Sequence, residues 1–411
     1  MSSDQRFVIV GGGLGAAKVA EALRANDFDG CVTLIGAEEH LPYDRPPLSK
    51  EHLAGKKALP EFTVDPGQWY RDHHIEIQLG TTVTALDPAA KTVTLPDGST
   101  LPYDKLALAT GSTPRTLPVP GADAPNVYTL RTIEDSDTLI ELFSGATRRL
   151  VIIGAGWIGL EVAAAARAAD VAVTIVERAD LPLLAVLGPE MGEVFADLHR
   201  ANGVDFRFGA QVEAITTEDA IATAVANGVR LADGSTIEAD AVLVAVGARP
   251  NVELAADAGL AVDDGVLVDE RLATSDPDIV AVGDIAAQQH PVLGRRVRVE
   301  HWANALNQPA VAAATMLGKQ ASYDRLPYFF TDQYDLGMEY TGFAAPGEAA
   351  RVVVRGDKAA REFVAFWLDA DNRVLAGMNV NVWDVTDRIK ELILAGEPVD
   401  PDRLTDTSSP L

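Results

Sequence analysis

The chain has 411 residues, enough for two or three domains, each with a buried core. Hydrophobic residues at 47% and charged residues at 23% are the make-up of an ordinary soluble globular protein and exclude a collagen-like or low-complexity chain. With 34 Lys and Arg against 60 Asp and Glu, the formal charge is −26, which argues against nucleic acid or an anionic membrane as partner.

Residues 1–6 lead into a four-residue apolar run, Phe7 to Val10, too short for a secretory signal core, so the expected location is the cytoplasm. That run reads as a strand entering the turn Gly11-Gly12-Gly13-Leu14-Gly15-Ala16 and an alanine-rich helix. In this G-x-G-x-x-A spacing Gly11 makes the turn, Gly13 lets backbone amides approach a pyrophosphate, and the helix supplies a positive dipole end. The acid expected after the second strand is displaced: Ala37 stands there, followed by Glu38 and Glu39. Cys31, the only cysteine, precedes or opens that strand and reads as a small core residue. One thiol leaves no disulfide, no CxxC pair and no four-thiolate metal site. His73 and His74 read as solvated loop histidines, since no further ligand spacing accompanies them, and no metal is expected.

Residues 42–66 are proline-rich, and residues 92–95 followed by Pro96-Asp97-Gly98 predict a hairpin. The pattern then repeats. A strand over 151–153 enters Gly154-Ala155-Gly156-Trp157-Ile158-Gly159 and a second alanine-rich helix, and Glu177 closes the next strand. It lies close to the roughly 20 residues on at which an acid meets the adenosine ribose, where a carboxylate would repel the extra phosphate of NADP, so NADH is expected. A second hairpin signal follows at 229–235. Residues 302–318 are uncharged, but Asn304, Asn307, Gln308 and Pro309 argue against a membrane span. Past residue 326, alternating runs at 351–355, 362–368 and 374–380 and a helix near 385–394 predict an α+β domain, with a polar tail over 402–411. The expected class is therefore α/β: two Rossmann-like dinucleotide-binding domains with β-meander insertions and an α+β C-terminal domain. Two such motifs suggest one held flavin and one exchangeable nicotinamide, because hydride transfer needs a donor and an acceptor.

Six further segments stand in order: 41–50 (Leu-Pro-Tyr-Asp-Arg-Pro-Pro-Leu-Ser-Lys), Ala109-Thr110-Gly111, Leu130-Arg131-Thr132, 246–251 (Val-Gly-Ala-Arg-Pro-Asn), Ala281-Val282-Gly283-Asp284 and Glu300-His301-Trp302. With both glycine motifs, the chain resembles the FAD-dependent, NADH-using ferredoxin reductases of bacterial oxygenase systems over nearly its whole length. The resemblance implies noncovalent FAD and NADH, with an FAD-binding domain of residues 1–112 and 247–325, an NAD-binding domain of 113–246 and a C-terminal domain of 326–411. It places Gly11, Gly13, Gly15, Ala16, Ala37, Glu38, Arg45, Lys50, Val83, Ala109, Thr110, Gly111, Arg131, Asp284 and Trp302 on the FAD side, Asp284 toward the ribityl chain. On the NADH side it places Gly154, Gly156, Ile158, Gly159, Glu161, Glu177, Gly247, Glu300 and His301. It further implies that Lys50 and Glu161 pair near the flavin as the catalytic residues, a cation there stabilising charge that develops on reduction.

Without a thiol relay, the expected acceptor is a one-electron protein carrier, a [2Fe–2S] ferredoxin feeding a monooxygenase or dioxygenase. Such carriers are commonly acidic, so a basic patch is expected, with Arg295, Arg296 and Arg298 as candidates and Arg388 and Lys390 as neighbours. Phe330, in the aromatic cluster 328–330, stands where relatives often carry a tryptophan. A rubredoxin reductase, a redox-sensing NADH-binding protein resembling apoptosis-inducing factor, and an oxidase remain as alternatives.

Overall fold

In the computed structural model, residues 4–218 and 224–411 are described. Phe7, Val8, Ile9 and Val10 are all buried, as befits a strand covered on both faces of a parallel sheet. Their strand, Arg6–Val10, sits third in a five-stranded parallel sheet ordered Ile279–Ala281, Lys105–Leu108, Arg6–Val10, Cys31–Ile35 and Ile75–Gln78. The helix Leu14–Ala25 buries Ala16, Val19, Ala20 and Leu23, the spacing of one helical face, and packs on the helix Trp302–Met316. A meander of Ala85–Asp87, Thr92–Thr94 and Thr100–Pro102 turns at Gly98, with φ +83, while the Asp97 carboxylate accepts from the Ser99 amide and hydroxyl. Cys31 is exposed rather than in the core: it opens its strand at the end that projects past the covered residues Val32 to Ile35.

The chain groups into two units. The elements just described belong to the first, made of Met1–Asp44, Leu59–Thr113 and Arg249–Pro327; the second comprises Arg45–Ala58, Pro114–Ala248 and Tyr328–Leu411. Residues 45–58, expected within the first nucleotide-binding domain, thus group with the second unit.

The second unit repeats the device. Its parallel sheet runs Asp205–Arg207, Ala172–Val176, Arg149–Ile153, Ala241–Val244 and Val127–Tyr128, and the helix Trp157–Ala168 buries Leu160, Val162, Ala163 and Ala166. A meander of Val212–Glu218, Val225–Leu231 and Thr236–Glu238 follows, with Asp233 and Ser235 in the same hydrogen-bonded turn as Asp97 and Ser99. The C-terminal part is a five-stranded antiparallel sheet ordered Tyr328–Gln333, Leu336–Gly342, Val374–Val380, Glu362–Leu368 and Arg351–Asp357. The helix Thr386–Ala395 lies on it, close enough that a Cβ on Gly377 would stand 2.6 Å from Ile389. The α/β class with two Rossmann-like sheets and an α+β C-terminal part is as expected. The expected polar tail is instead docked: Asp400 caps the helix Pro401–Thr405, Leu404 is buried, and the Arg355 guanidinium donates to the carbonyls of Asp406 and Ser409. Among the described residues no helix is long and apolar enough to cross a membrane.

Candidate functional site

Each unit carries one open glycine turn. Gly11 has φ +133, and a Cβ there would stand 2.1 Å from the Ala109 carbonyl oxygen; Gly154 has φ +106, and its Cβ would stand 2.4 Å from the Ala245 carbonyl oxygen. Both positions therefore demand glycine. The turns are closed by Gly11 N–H donating to Ile35 O and Gly154 N–H donating to Val176 O, each at 2.8 Å. Gly13 and Gly156 then begin the helices with no side-chain cap, no acid in the first turn and no atom within 4 Å of where a Cβ would point. The helix Ile133–Ser144 begins differently, with Thr132 and Asp135 forming a reciprocal capping box. Helix starts without a side-chain cap, at the positive end of the dipole and with room beside the glycine, fit a pyrophosphate, and this occurs at both turns. Ile158, in the second helix's first turn, is an exposed apolar side chain.

The acids behind the two turns are held differently. Glu177 folds back over its own turn, accepting from the Ala155 amide at 2.8 Å and the Ala179 amide at 2.9 Å. At the first turn Ala37 is exposed, and the Glu38 carboxylate accepts from the Tyr43 hydroxyl at 2.5 Å.

In the first unit Asp284 accepts from the Ser112 hydroxyl at 2.7 Å. The preceding Gly283 amide donates to the buried Gln308 side chain at 2.8 Å, fixing the turn. Asn251 clasps the Thr110-Gly111 segment: its side-chain amide donates to Thr110 O, its backbone amide donates to Gly111 O, and its carbonyl accepts from the Thr110 hydroxyl. The Trp302 indole donates to Asp44 at 2.9 Å, and Val83 is part of the core. His301 precedes the helix Trp302–Met316; desolvation pushes its imidazole down to about 4 against the pull of Asp284, leaving it neutral at neutral pH. Glu300 is ion-paired with Arg298 at 2.7 Å.

In the second unit the structure brings Lys50 and Glu161 together. The Lys50 ammonium lies 2.7 Å from the Glu161 carboxylate, with side-chain exposures of 9% and 4%. The carboxylate also accepts from the Ser49 hydroxyl at 2.5 Å and the Thr331 hydroxyl at 2.6 Å. A buried carboxylate is costly unless its lone pairs are filled, and here two hydroxyls and an ammonium fill them. The ammonium also lies 5.4 Å from the centre of the Phe330 ring. Residues 45–58 reach this position because they are pinned: a 3-10 turn over Pro46–Ser49 is followed by His52 bonded to Asp137 at 2.8 Å, and Ser136 donates to Leu48 O. The Arg45 guanidinium donates to the Arg131 carbonyl, bringing those two expected residues together, and Gly247 O accepts from the Arg115 amide at 2.9 Å.

In the expected basic run Arg296 is exposed while Arg298 is largely covered and ion-paired. Arg298 has a side chain only 11% exposed and is spent on Asp264 and Glu300; Arg296 donates to the carbonyls of Val268 and Ala287. Arg388 and Lys390, in the other unit, pair with Glu391 and Asp387. Thr331 was missed as a site residue. On the strand Tyr328–Gln333, Thr331 and Gln333 share one buried face, but a polar residue on each face of this strand gave the sequence no signal for it.

Comparison with known proteins agrees with this architecture. Residues 5–309 match the family model for pyridine nucleotide-disulphide oxidoreductases, and residues 328–411 match the reductase C-terminal model. The chain is 42% identical over 407 residues to the ferredoxin--NAD(+) reductase component of an anthranilate 1,2-dioxygenase system from Burkholderia cepacia, covering 99% of this chain and 98% of that one. It is 39% identical to putidaredoxin reductase from Pseudomonas putida, covering 100% and 97%. A crystal structure of the covalent putidaredoxin reductase–putidaredoxin complex superposes with a TM-score of 0.94 at 38% identity, covering 100% of this chain and 97% of that one. The chain belongs to the pyridine nucleotide-disulphide oxidoreductase family, with a match to the reductase C-terminal model over residues 328–411.

Proposed function

We propose that this chain is an NADH-dependent ferredoxin reductase working in the cytoplasm, taking hydride from NADH to noncovalent FAD and passing single electrons to a [2Fe–2S] ferredoxin that serves a monooxygenase or dioxygenase. The observation that carries this reading is the coexistence of two open, uncapped glycine turns with a single exposed cysteine. Two dinucleotides have a place, while the dithiol that a disulfide reductase needs is absent from the sequence. Relatives named as ferredoxin reductase components of oxygenase systems, matched end to end, point to the same acceptor.

Bound FAD supplies the conversion of a two-electron hydride into two one-electron transfers. The first turn, with Gly11, Gly13, Gly15 and Ala16, is assigned to FAD, together with Ala109, Thr110, Gly111 and Asp284. The second, with Gly154, Gly156 and Gly159, is assigned to NADH, with Glu177 toward the adenosine ribose. Lys50 is assigned the positive charge that stabilises the flavin on reduction, and Glu161, held by Ser49 and Thr331, keeps that ammonium in place.

The test is NADH-dependent cytochrome c reduction by the FAD-loaded protein, with and without a [2Fe–2S] ferredoxin. Strong stimulation by ferredoxin is expected. A flavin that NADH reduces but ferredoxin does not reoxidise would overturn the assignment.

A further inference from the structure

Behind Glu161 the second unit contains a chain of buried polar side chains that the ion pair alone does not require. The Thr331 hydroxyl, which bonds Glu161, lies 3.1 Å from the Gln333 side-chain nitrogen. The Gln333 side-chain oxygen lies 2.8 Å from His199 Nε2, and His199 Nδ1 lies 3.3 Å from the Tyr334 hydroxyl. His199, Thr331 and Gln333 are each at most 1% exposed.

The carboxylate fixes the direction of every bond in this chain. Glu161 can only accept, so Thr331 must donate to it; Thr331 oxygen then accepts from the Gln333 N–H, whose carbonyl oxygen requires a proton on His199 Nε2. A neutral imidazole has one N–H, so Nδ1 accepts from Tyr334. Burial agrees, pushing His199 down to about 4. Any reversal places two acceptors face to face beside a buried charge. The far end is anchored at some cost. Tyr334 has φ +55 at the first turn position between the strands Tyr328–Gln333 and Leu336–Gly342, a place that favours glycine. Its ring meets the His199 ring at 5.1 Å in a T-shaped contact.

We propose that Gln333 and His199 are positioning residues that hold Glu161, through the Thr331 hydroxyl, as the carboxylate partner of Lys50. The proposal rests on the catalytic reading of that pair given above. With Gln333 in place, the Thr331 hydroxyl has its oxygen occupied and its proton committed to Glu161; without Gln333 it is free to rotate away. Loss of a donor raises the pH at which a carboxylate takes up a proton. The ionisable groups acting with Glu161 here are Lys50 from the pinned segment and Asp332 from the strand. Asp332 is raised first by burial, is drawn down by Lys50, and is raised further by Glu51, Glu161 and Glu339.

Two measurements test this. In FAD-loaded protein carrying 15N-labelled histidine, NMR should show His199 neutral and protonated at Nε2 from pH 8 to pH 5. A proton on Nδ1, or a charged ring at pH 6, overturns the bond chain without reference to activity. In stopped flow at saturating NADH, Gln333→Leu should move the acid limb of the flavin-reduction rate up by about one pH unit, with NADH affinity within about twofold of the parent. Thr331→Val should do the same, while Thr331→Ser restores the parent profile. An unmoved acid limb in Gln333→Leu at full FAD content overturns the positioning role. If Gln333→Leu does not fold, the NMR result on the unaltered chain decides. If Lys50→Met is reduced as fast as the parent, the catalytic reading of the pair falls and the positioning role with it; the imidazole signals still report on the bond chain alone.

Discussion

The two glycine turns are built on one plan, yet they are not interchangeable. In the second, Gly159 packs so tightly that a Cβ would stand 2.3 Å from Gly154 O, whereas the first carries Ala16, fully buried, at the matching position. The second turn has its carboxylate folded over it, Glu177 on the Ala155 and Ala179 amides; the first has Ala37 exposed and Glu38 tied to Tyr43. The turn itself is thus conserved in physics, while what stands beside the pyrophosphate position differs between a site assigned to a resident cofactor and one assigned to an exchanging one.

The largest effects should separate the folding glycines from the binding glycines. Gly11→Ala and Gly154→Ala force a side chain into a carbonyl at positive φ, and each should cost on the order of 4 kcal/mol or abolish folding. Gly13→Ala and Gly156→Ala meet no atom, so thermal melting of the FAD-free protein should be nearly unchanged while FAD retention falls in the first and NADH affinity in the second. Equal melting losses at all four positions would erase the distinction.

Acid stability offers the next contrast, because each unit holds one histidine depressed to about 4, His301 in the first and His199 in the second. Between about pH 6.5 and 4 the unfolded chain carries a proton on each that the folded chain refuses, so stability is full above pH 6.5 and falls as the pH drops toward 4. For the fully buried His199 this amounts to at most about 3 kcal/mol. Asp65, raised to about 6 by burial and by Glu21, acts in the opposite sense over the same window in the first unit. Denaturant melts from pH 7 to pH 4.5 should therefore show the steeper loss relieved by His199→Phe; an unchanged slope would mean that His199 is not the group responsible.

Smaller effects address the chemistry. Lys50→Met should slow flavin reduction by NADH about thirtyfold, about 2 kcal/mol of barrier, with FAD content intact. Glu177→Ala should weaken NADH binding about tenfold, about 1.4 kcal/mol, and reduce the preference over NADPH. Glu38→Ala, altering a carboxylate already engaged by Tyr43, should change NADH affinity not at all. A matching loss there would join the two acids in one role.

The βαβ units were legible because strand, glycine spacing and alanine-rich helix lie within about thirty residues of one another, the size of a βαβ unit. Hairpins at Asp97-Gly98 and Asp233-Gly234 were legible for the same local reason. The exposed Cys31 was misread because apolar neighbours say nothing about which end of a strand is covered. The docked tail was misread because its partner, Arg355, lies some fifty residues away and looks like an ordinary surface arginine. The surroundings of Glu161 were only half legible. Lys50 came from a resemblance, but Ser49 lies 112 residues from Glu161 and Thr331 170, and no local pattern joins them. Buried polar residues on the Tyr328–Gln333 strand look, in sequence, like the solvent face of an edge strand.

The position of Ile279–Ala281 beside Lys105–Leu108 in the first sheet has a consequence for synthesis. When residues up to 108 have left the ribosome, four strands are ready to pair, but the open side of Lys105–Leu108 must wait for a partner encoded 171 residues later. At about 5–20 residues per second, that edge stays uncovered for roughly 10 to 35 s. An unpaired apolar strand edge invites pairing with another chain, so slowing translation between these segments should lower the soluble yield, and holdase chaperones should act on the nascent chain in that interval.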